Sequence, residues 1–185
     1  KGPSSFVPTS VLRAGDMHNS LRVIEEVHQE WAQRFGRNFA PLVEEYRLDG
    51  ADYAIMTLGS MTGAAKDAID EARDAGERVG LIKLKTFSPF PVEALLKSLR
   101  KVRALGVVDR SVGFRWNCGP MYQETMGALY RLARESGSIL PSMSFIGGLA
   151  GADITVGHFH RVIEATEKLL TGPAPAEPVW LNEKD

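Results

Sequence analysis

Three sets of residues in this chain have the right types for chemistry. The first consists of short polar stretches that follow apolar runs: Ser60 and Thr62, Thr86 and Ser88, Asp109 to Arg115, and Gly147 to Asp153. If the runs are parallel strands, these stretches lie at carboxyl ends, where open α/β sheets gather ligands. Arg110 and Arg115 offer planar guanidinium forks suited to an anionic group or a partner's carboxylate. Ser60, Thr62, Arg110 and Arg115 are therefore the candidate ligand-binding residues. The second set is one thiol, Cys118, in Arg115-Trp116-Asn117-Cys118-Gly119-Pro120. A helix start and a nearby arginine lower a thiol pKa. No histidine falls close in sequence, however, and a lone thiol at a helix start is expected to pack. The third set is His158 and His160, which flank Phe159 on a predicted helix. Their spacing turns them to different faces, whereas two metal ligands on one helix prefer a spacing of three or four. His18 and His28 are expected to face solvent. With no nucleophile–base pair and no metal set, no catalytic or metal-ligating residue is assigned.

The elements that must position these groups are organised around Tyr53–Gly63, YAIMTLGSMTG. A short continuous apolar run ending in Gly59-Ser60 predicts a strand buried on both faces, followed by a helix from Thr62. Gly59 permits a backbone conformation that a Cβ resists. Ser60 or Thr62 can accept bonds from the first free N–H groups of that helix. The spacing is Gly-x-x-x-Gly, so this is no dinucleotide fingerprint. A plain βα turn is the simpler reading, and an anion held at the helix N-terminus the sharper one.

From Asp52 the pattern repeats. Strands are predicted at Tyr53–Leu58, Val79–Leu84, Ala104–Val108 (ending at Asp109) and Ser142–Ile146. Helices are predicted at Thr62–Ala75, Val92–Arg100, Pro120 to about Glu135, and Val156–Leu170. Asp67, Asp70, Glu71 and Asp74 read as a solvated helix face with Lys66, Arg73 and Arg78. Strands alternating with helices imply an α/β fold, a mainly parallel sheet of about five strands covered by helices on both faces. Before it, Lys1–Met17 reads as linker or extended arm. His18–Phe35 reads as an amphipathic helix with Leu21, Ile24, Val27, Trp31 and Phe35 on one stripe, stopped by Gly36, and Phe39–Asp52 as a connector. After it comes a proline-rich tail with an isolated Trp180. The expected organisation is an arm and helix at 1–51, the α/β domain at 52–173 and the tail at 174–185. Part of the apolar surface of helix and tail is expected to meet another chain or domain, the alternative being that both fold back onto the sheet domain and are covered there.

A net charge of −1 with 44% hydrophobic and 24% charged residues gives no reason to expect nucleic acid or an anionic membrane as partner. No apolar run approaches the roughly 20 residues that cross a bilayer. A single cysteine excludes an internal disulfide and suits a reducing cytoplasm, the expected location. The N-terminus has no signal-peptide pattern and reads like the middle of something longer.

Three segments, LGSMTGAAKDAIDEARDAGERVGLIKLKTFSPFP, GVVDRSVGFRWNCGPMYQE and FIGGLAGADIT, occur in this order. Together they resemble the α subunit of pyruvate:ferredoxin oxidoreductase and related 2-oxoacid:ferredoxin oxidoreductases (pyruvate synthase), over roughly Met17–Leu170. The resemblance implies a transketolase C-terminal-like domain within a multisubunit complex that converts a 2-oxoacid to acyl-CoA and passes electrons to ferredoxin. It implies thiamine diphosphate, magnesium, iron–sulfur clusters and coenzyme A in that complex, and none of them in this chain. Other subunits or domains of the complex are the implied partners. This domain's implied part is assembly and shaping of the active site, without activity of its own. Where the family has Gly-Gly-Arg-Asp, this chain has Gly151-Ala152-Asp153, a departure that points to another 2-oxoacid. Two alternatives stand beside this reading. One is a free-standing small-molecule-binding module of doubly wound type. The other is the C-terminal domain of another thiamine-diphosphate enzyme, against which the Phe87–Pro91 element argues.

Overall fold

The computed structural model describes residues 6–182, with side chains from Thr9 onward. A 30-residue helix, α1 (Phe6–Phe35), comes first, a rod of about 45 Å at 1.5 Å per residue. The expected linker at Lys1–Met17 is corrected for residues 6–17, which continue the helix; residues 1–5 lie outside the described residues. Pro8 falls in the first turn, where its missing N–H has no intrahelical partner to lose. Gly15 costs a helix interior only about 1 kcal/mol, less than the turns that follow recover. As expected, the helix stops at Gly36, whose N–H bonds the Ala32 carbonyl. Most of the large apolar side chains of α1, Trp31 and Phe35 among them, remain exposed. Near its end, Val27, His28 and Trp31 share a groove with Phe39. His28, expected in solvent, is half-buried there, with Nδ1 on the Ile24 carbonyl at 2.8 Å.

Six strands form one sheet: β1 (Val43–Tyr46), β2 (Tyr53–Leu58), β3 (Val79–Leu84), β4 (Ala104–Asp109), β5 (Ser142–Ile146) and β6 (Val179–Trp180). Their order is β1-β3-β2-β4-β5-β6. Only β1 is antiparallel to its neighbour. The four predicted strands are present, and two short edge strands bring the sheet to six, where about five are expected. The connector at 39–52 contains β1, and the tail contains β6, so sheet strands lie outside the expected 52–173. Neither was legible from periodicity, because VEEY is short and polar and β6 has two residues. Each takes its conformation from an edge already formed, β1 beside β3 and β6 beside Phe145 and Ile146. Charged residues on such an edge also discourage further pairing.

The helices are α2 (Thr62–Asp74), α3 (Val92–Leu99), α4 (Pro120–Ser136) and α5 (Val156–Glu167), the last tightening into a 3₁₀ turn at Lys168–Leu170. Strand side chains alternate between two layers. Tyr53, Ile55, Leu81 and Phe145 pack with Ala65, Ala68 and Ile69 of α2 and with Phe159 and Ile163 of α5. Met56, Ile82, Leu105 and Val107 pack with Leu95 and Leu99 of α3 and with Met121 and Leu129 of α4. Each buried Val, Leu, Ile, Met or Phe among them contributes roughly 1.5–3 kcal/mol by leaving water. Close approach of α5 needs Gly106, where an added Cβ would fall 2.2 Å from Thr166 Oγ1.

The mates expected for the α2 carboxylates are corrected too. Arg47 pairs with Asp70 and Asp74 at 3.2 and 3.6 Å. Glu71 meets His160 at 2.7 Å. Lys66 reaches Glu44 at 2.6 Å, and Arg78 reaches Asp52 at 3.0 Å. These charges tie α2 to its neighbours in the fold rather than to itself.

Candidate functional site

The strand order places a topological switch beside β2. The chain leaves β2 for β3 on one side and returns to β4 on the other. The connections leaving β2 (to β3) and β4 (to β5) therefore run in opposite directions from the carboxyl ends of these neighbours, which opens the crevice where ligands of such sheets bind. A cleft of about 190 Å³ lies there, lined in part by Met61, Phe87, Asp109, Arg110 and Met121.

On the β2 side the turn is short. Gly59, at φ +78°, starts a single 3₁₀ turn, Gly59–Met61, that feeds α2. That positive φ is the conformation for which the glycine was singled out. The expected cap is not made: among the described residues no side chain caps the N-terminus of α2. Thr62 instead donates its hydroxyl to the Gly59 carbonyl at 2.8 Å. It therefore receives the Thr57 hydroxyl, 3.0 Å away. Both threonines are buried.

On the β4 side the connection is longer and charged. Asp109 is buried and its carboxylate reaches the start of α4, accepting the N–H groups of Met121 at 3.0 Å and Tyr122 at 3.1 Å. A strand-end side chain thus caps a helix whose own N-cap, Gly119, has none to offer. The fit requires that glycine, because a Cβ on it would lie 2.0 Å from the Asp109 carboxyl carbon. Burial raises the Asp109 pKa to about 6, against the two N–H bonds that lower it. Loss of hydration outweighs two backbone donors.

Arg110 spans the crevice. Its guanidinium donates to Ser60 Oγ at 3.4 Å and to the Gly148 carbonyl at 3.3 Å, which joins the exits of β2, β4 and β5. Both bonds are long and both acceptors neutral. Among the described residues no carboxylate forms an ion pair with Arg110. The loop after β5 is held in place by the tail, Asn182 Oδ1 accepting the Gly148 N–H at 2.6 Å and Nδ2 donating to the Asp153 carbonyl at 2.9 Å.

Of the four candidates, then, Ser60 and Arg110 come together. Thr62 is buried with its hydroxyl engaged internally. Arg115 is exposed on the loop between Gly113 and Cys118, which bridge each other, and no hydrogen bond links it to Ser60 or Arg110 among the described residues. Thr86 bonds the Pro41 carbonyl at 3.4 Å, beside the connector. Cys118 is buried and free. His158 accepts the Thr155 N–H on Nδ1 at 3.0 Å and so closes the cap of α5, while His160 faces Glu71. No group of three or more His, Cys, Asp or Glu among the described residues could hold a metal ion. No helix there is long and apolar enough to cross a membrane. Sequence reading placed Asp109 among the strand-end groups but missed its capping role. The usable signal was an acidic residue ending a buried strand shortly before Gly-Pro.

A family model described as pyruvate:ferredoxin oxidoreductase core domain II matches residues 51–159. The chain belongs to this family. Among curated relatives, the NADH-dependent phenylglyoxylate dehydrogenase subunit alpha of Aromatoleum evansii is 71% identical over the whole chain, which spans 44% of that protein. The pyruvate synthase subunit PorA of Methanosarcina barkeri is 30% identical over 99% of the chain, again 44% of the relative. The chain therefore spans less than half the length of these relatives. A solved split-gene transketolase, described as an inactive beta4 tetramer, aligns with a TM-score of 0.51 and 20% identity, over 73% of this chain and 43% of that one. That likeness concerns the fold alone.

Proposed function

We propose that this chain is the core-domain-II part of the α subunit of a 2-oxoacid oxidoreductase complex whose substrate is an aromatic 2-oxoacid of the phenylglyoxylate type. The observation that carries this reading is the 71% identity, over the full chain, to a phenylglyoxylate dehydrogenase α subunit. That relative is named for NADH and the family model for ferredoxin. The higher identity favours a nicotinamide as final acceptor here, with ferredoxin the second reading. The overall reaction is oxidative decarboxylation: the 2-oxoacid loses CO₂, its acyl group joins coenzyme A, and two electrons pass to the acceptor.

The chain's own residues support a shaping role within the complex. With one cysteine, the chain lacks the thiolates that hold an iron–sulfur cluster, and we assign the clusters, with thiamine diphosphate and magnesium, to other domains or subunits. Coenzyme A and the 2-oxoacid are anions, and Arg110 with Ser60 is the group in the crevice chemically suited to meet one. Arg110 without a carboxylate partner is a charge available to a ligand. The proposed partners are the other subunits of the complex, and the proposed location is the cytoplasm.

The test is turnover of the complete complex with phenylglyoxylate or pyruvate, coenzyme A, and either NAD⁺ or ferredoxin. Faster reduction of NAD⁺ with phenylglyoxylate is expected; preference for pyruvate and ferredoxin would overturn the reading. Arg110→Ala should raise KM for one anionic reactant about tenfold, the worth of a charge-assisted bond, and leave kcat nearly unchanged. The isolated chain should reduce no dye with any 2-oxoacid.

A further inference from the structure

A second cavity, of about 460 Å³ and open to solvent, lies on the α3/α4 side of the sheet beside β5, bordered by the segment 175–178 of the tail. Its volume falls in the range of small-molecule sites. It exists because β5 alternates unusually. Met143 and Phe145 fill the α5 side, whereas Ser142 and Ser144 face the other way, where neighbouring strands place Met56, Leu105 and Val107. The small side chain of Ser144 leaves space there that a leucine would occupy.

The floor of that space carries an unpaired polar group. Ser144 is 5% exposed, lines the cavity, and its Oγ has no hydrogen-bond partner among the described residues. A buried hydroxyl left without a partner costs roughly 1–3 kcal/mol, which a ligand atom at that position would recover. The walls are flat and apolar: Trp116, Tyr122, Pro175 and Pro178, with the thioether of Met126. Such faces stack on aromatic rings, and a thioether adds a favourable sulfur–ring contact. Glu177 is the one charged lining residue, tied across the rim by Asn117 Nδ2 at 2.8 Å. With a carboxylate and no cation in the lining, the cavity offers an anion no compensation for lost water.

We propose that this cavity binds a small uncharged aromatic molecule carrying one hydrogen-bonding group, which meets the Ser144 hydroxyl. The proposal concerns binding alone and does not rest on the 2-oxoacid reading. The probe is benzyl alcohol, titrated against the full-length protein in its complex by ligand-observed NMR, with benzoate as the anionic analogue of similar size. Saturable binding of benzyl alcohol is expected, at least tenfold tighter than benzoate. Ser144→Ala should weaken it about fivefold, the worth of one neutral hydrogen bond. Ala176→Phe, at an exposed position of the rim, should fill the cavity and abolish binding without lowering Tm. If Ser144→Ala fails to fold, the rim variant decides alone. No saturable binding, equal affinity for benzoate, or unchanged affinity in Ala176→Phe would each overturn the proposal.

Discussion

The exits of β2 and β4 lie side by side in one sheet and solve the same problem differently. Each must turn a buried strand into a helix at the switch point. The β2 exit does so with backbone, a glycine at positive φ and one 3₁₀ turn, and uses two buried threonines as an internal clasp. The β4 exit sends a buried carboxylate to the N-terminus of α4 across a loop that exposes Phe114 and Trp116. A neutral clasp is indifferent to pH and tolerates change beyond it. A buried charge is sensitive to both volume and protonation. Arg110, whose side chain bonds both neighbouring exits, leaves β4 immediately after that charge.

The largest effect expected from disturbing this contrast is at Gly119. Gly119→Ala puts a Cβ 2.0 Å from the Asp109 carboxyl, which must push the aspartate off α4. The change should cost about 3 kcal/mol, the upper part of the range for overpacking, and chemical denaturation measures it. A melt within a degree of wild type would show that Asp109 gives way freely.

Protonation of Asp109 should come next. Its folded pKa of about 6 stands above the ordinary value of 3.8, so the fold favours the protonated form relative to the unfolded chain. Its contribution to stability is complete below about pH 4 and is lost as pH rises through 6. Some 2 pKa units correspond to about 3 kcal/mol. Asp109→Asn has no such titration. The stability of wild type relative to this variant should fall between pH 4 and 6, and a constant difference would refute the assignment.

A smaller loss is expected at the β2 exit. Thr62→Val keeps the shape but leaves the Thr57 hydroxyl and the Gly59 carbonyl short of a partner, at a cost of about 1–2 kcal/mol with no dependence on pH over the same interval. The smallest change belongs to Ser60→Ala. Its hydroxyl is exposed and receives one long bond from Arg110, so stability should move by no more than about 0.5 kcal/mol. A larger shift there would mean that Arg110 holds the crevice closed through Ser60.

Much of the fold was legible because β2, β3 and β4 are largely apolar on both faces, β5 carries Met143, Phe145 and Ile146, and each sheet-covering helix carries one apolar stripe. YAIMTL, VGLIKL, ALGVVD and SMSFI needed no neighbour to be recognised. VEEY and the pair Val179-Trp180 became strands only beside an existing edge. Trp180 is expected to dock on this domain or on a neighbour, and the tail docks on this sheet, with Leu181 buried. The α1 stripe at Trp31 and Phe35 stays exposed. Similar apolar signals had opposite outcomes, because periodicity reports that a face is apolar and not what covers it.

The candidate site divides along the same line. Sequence by itself determined the alternation of strand and helix, the glycine turn after β2, and the presence of hydroxyl and guanidinium groups at strand ends, since each follows from local residue types. It could not tell that Thr62 turns inward, that Arg115 stays apart from Ser60, or that Arg110 reaches Gly148, 38 residues on. Nor could it show that Asp109 caps a helix beginning 11 residues later, or that Ser144 faces an unfilled cavity. Those facts depend on strand order and on distances between segments remote in sequence. Only packing the whole sheet fixes such distances.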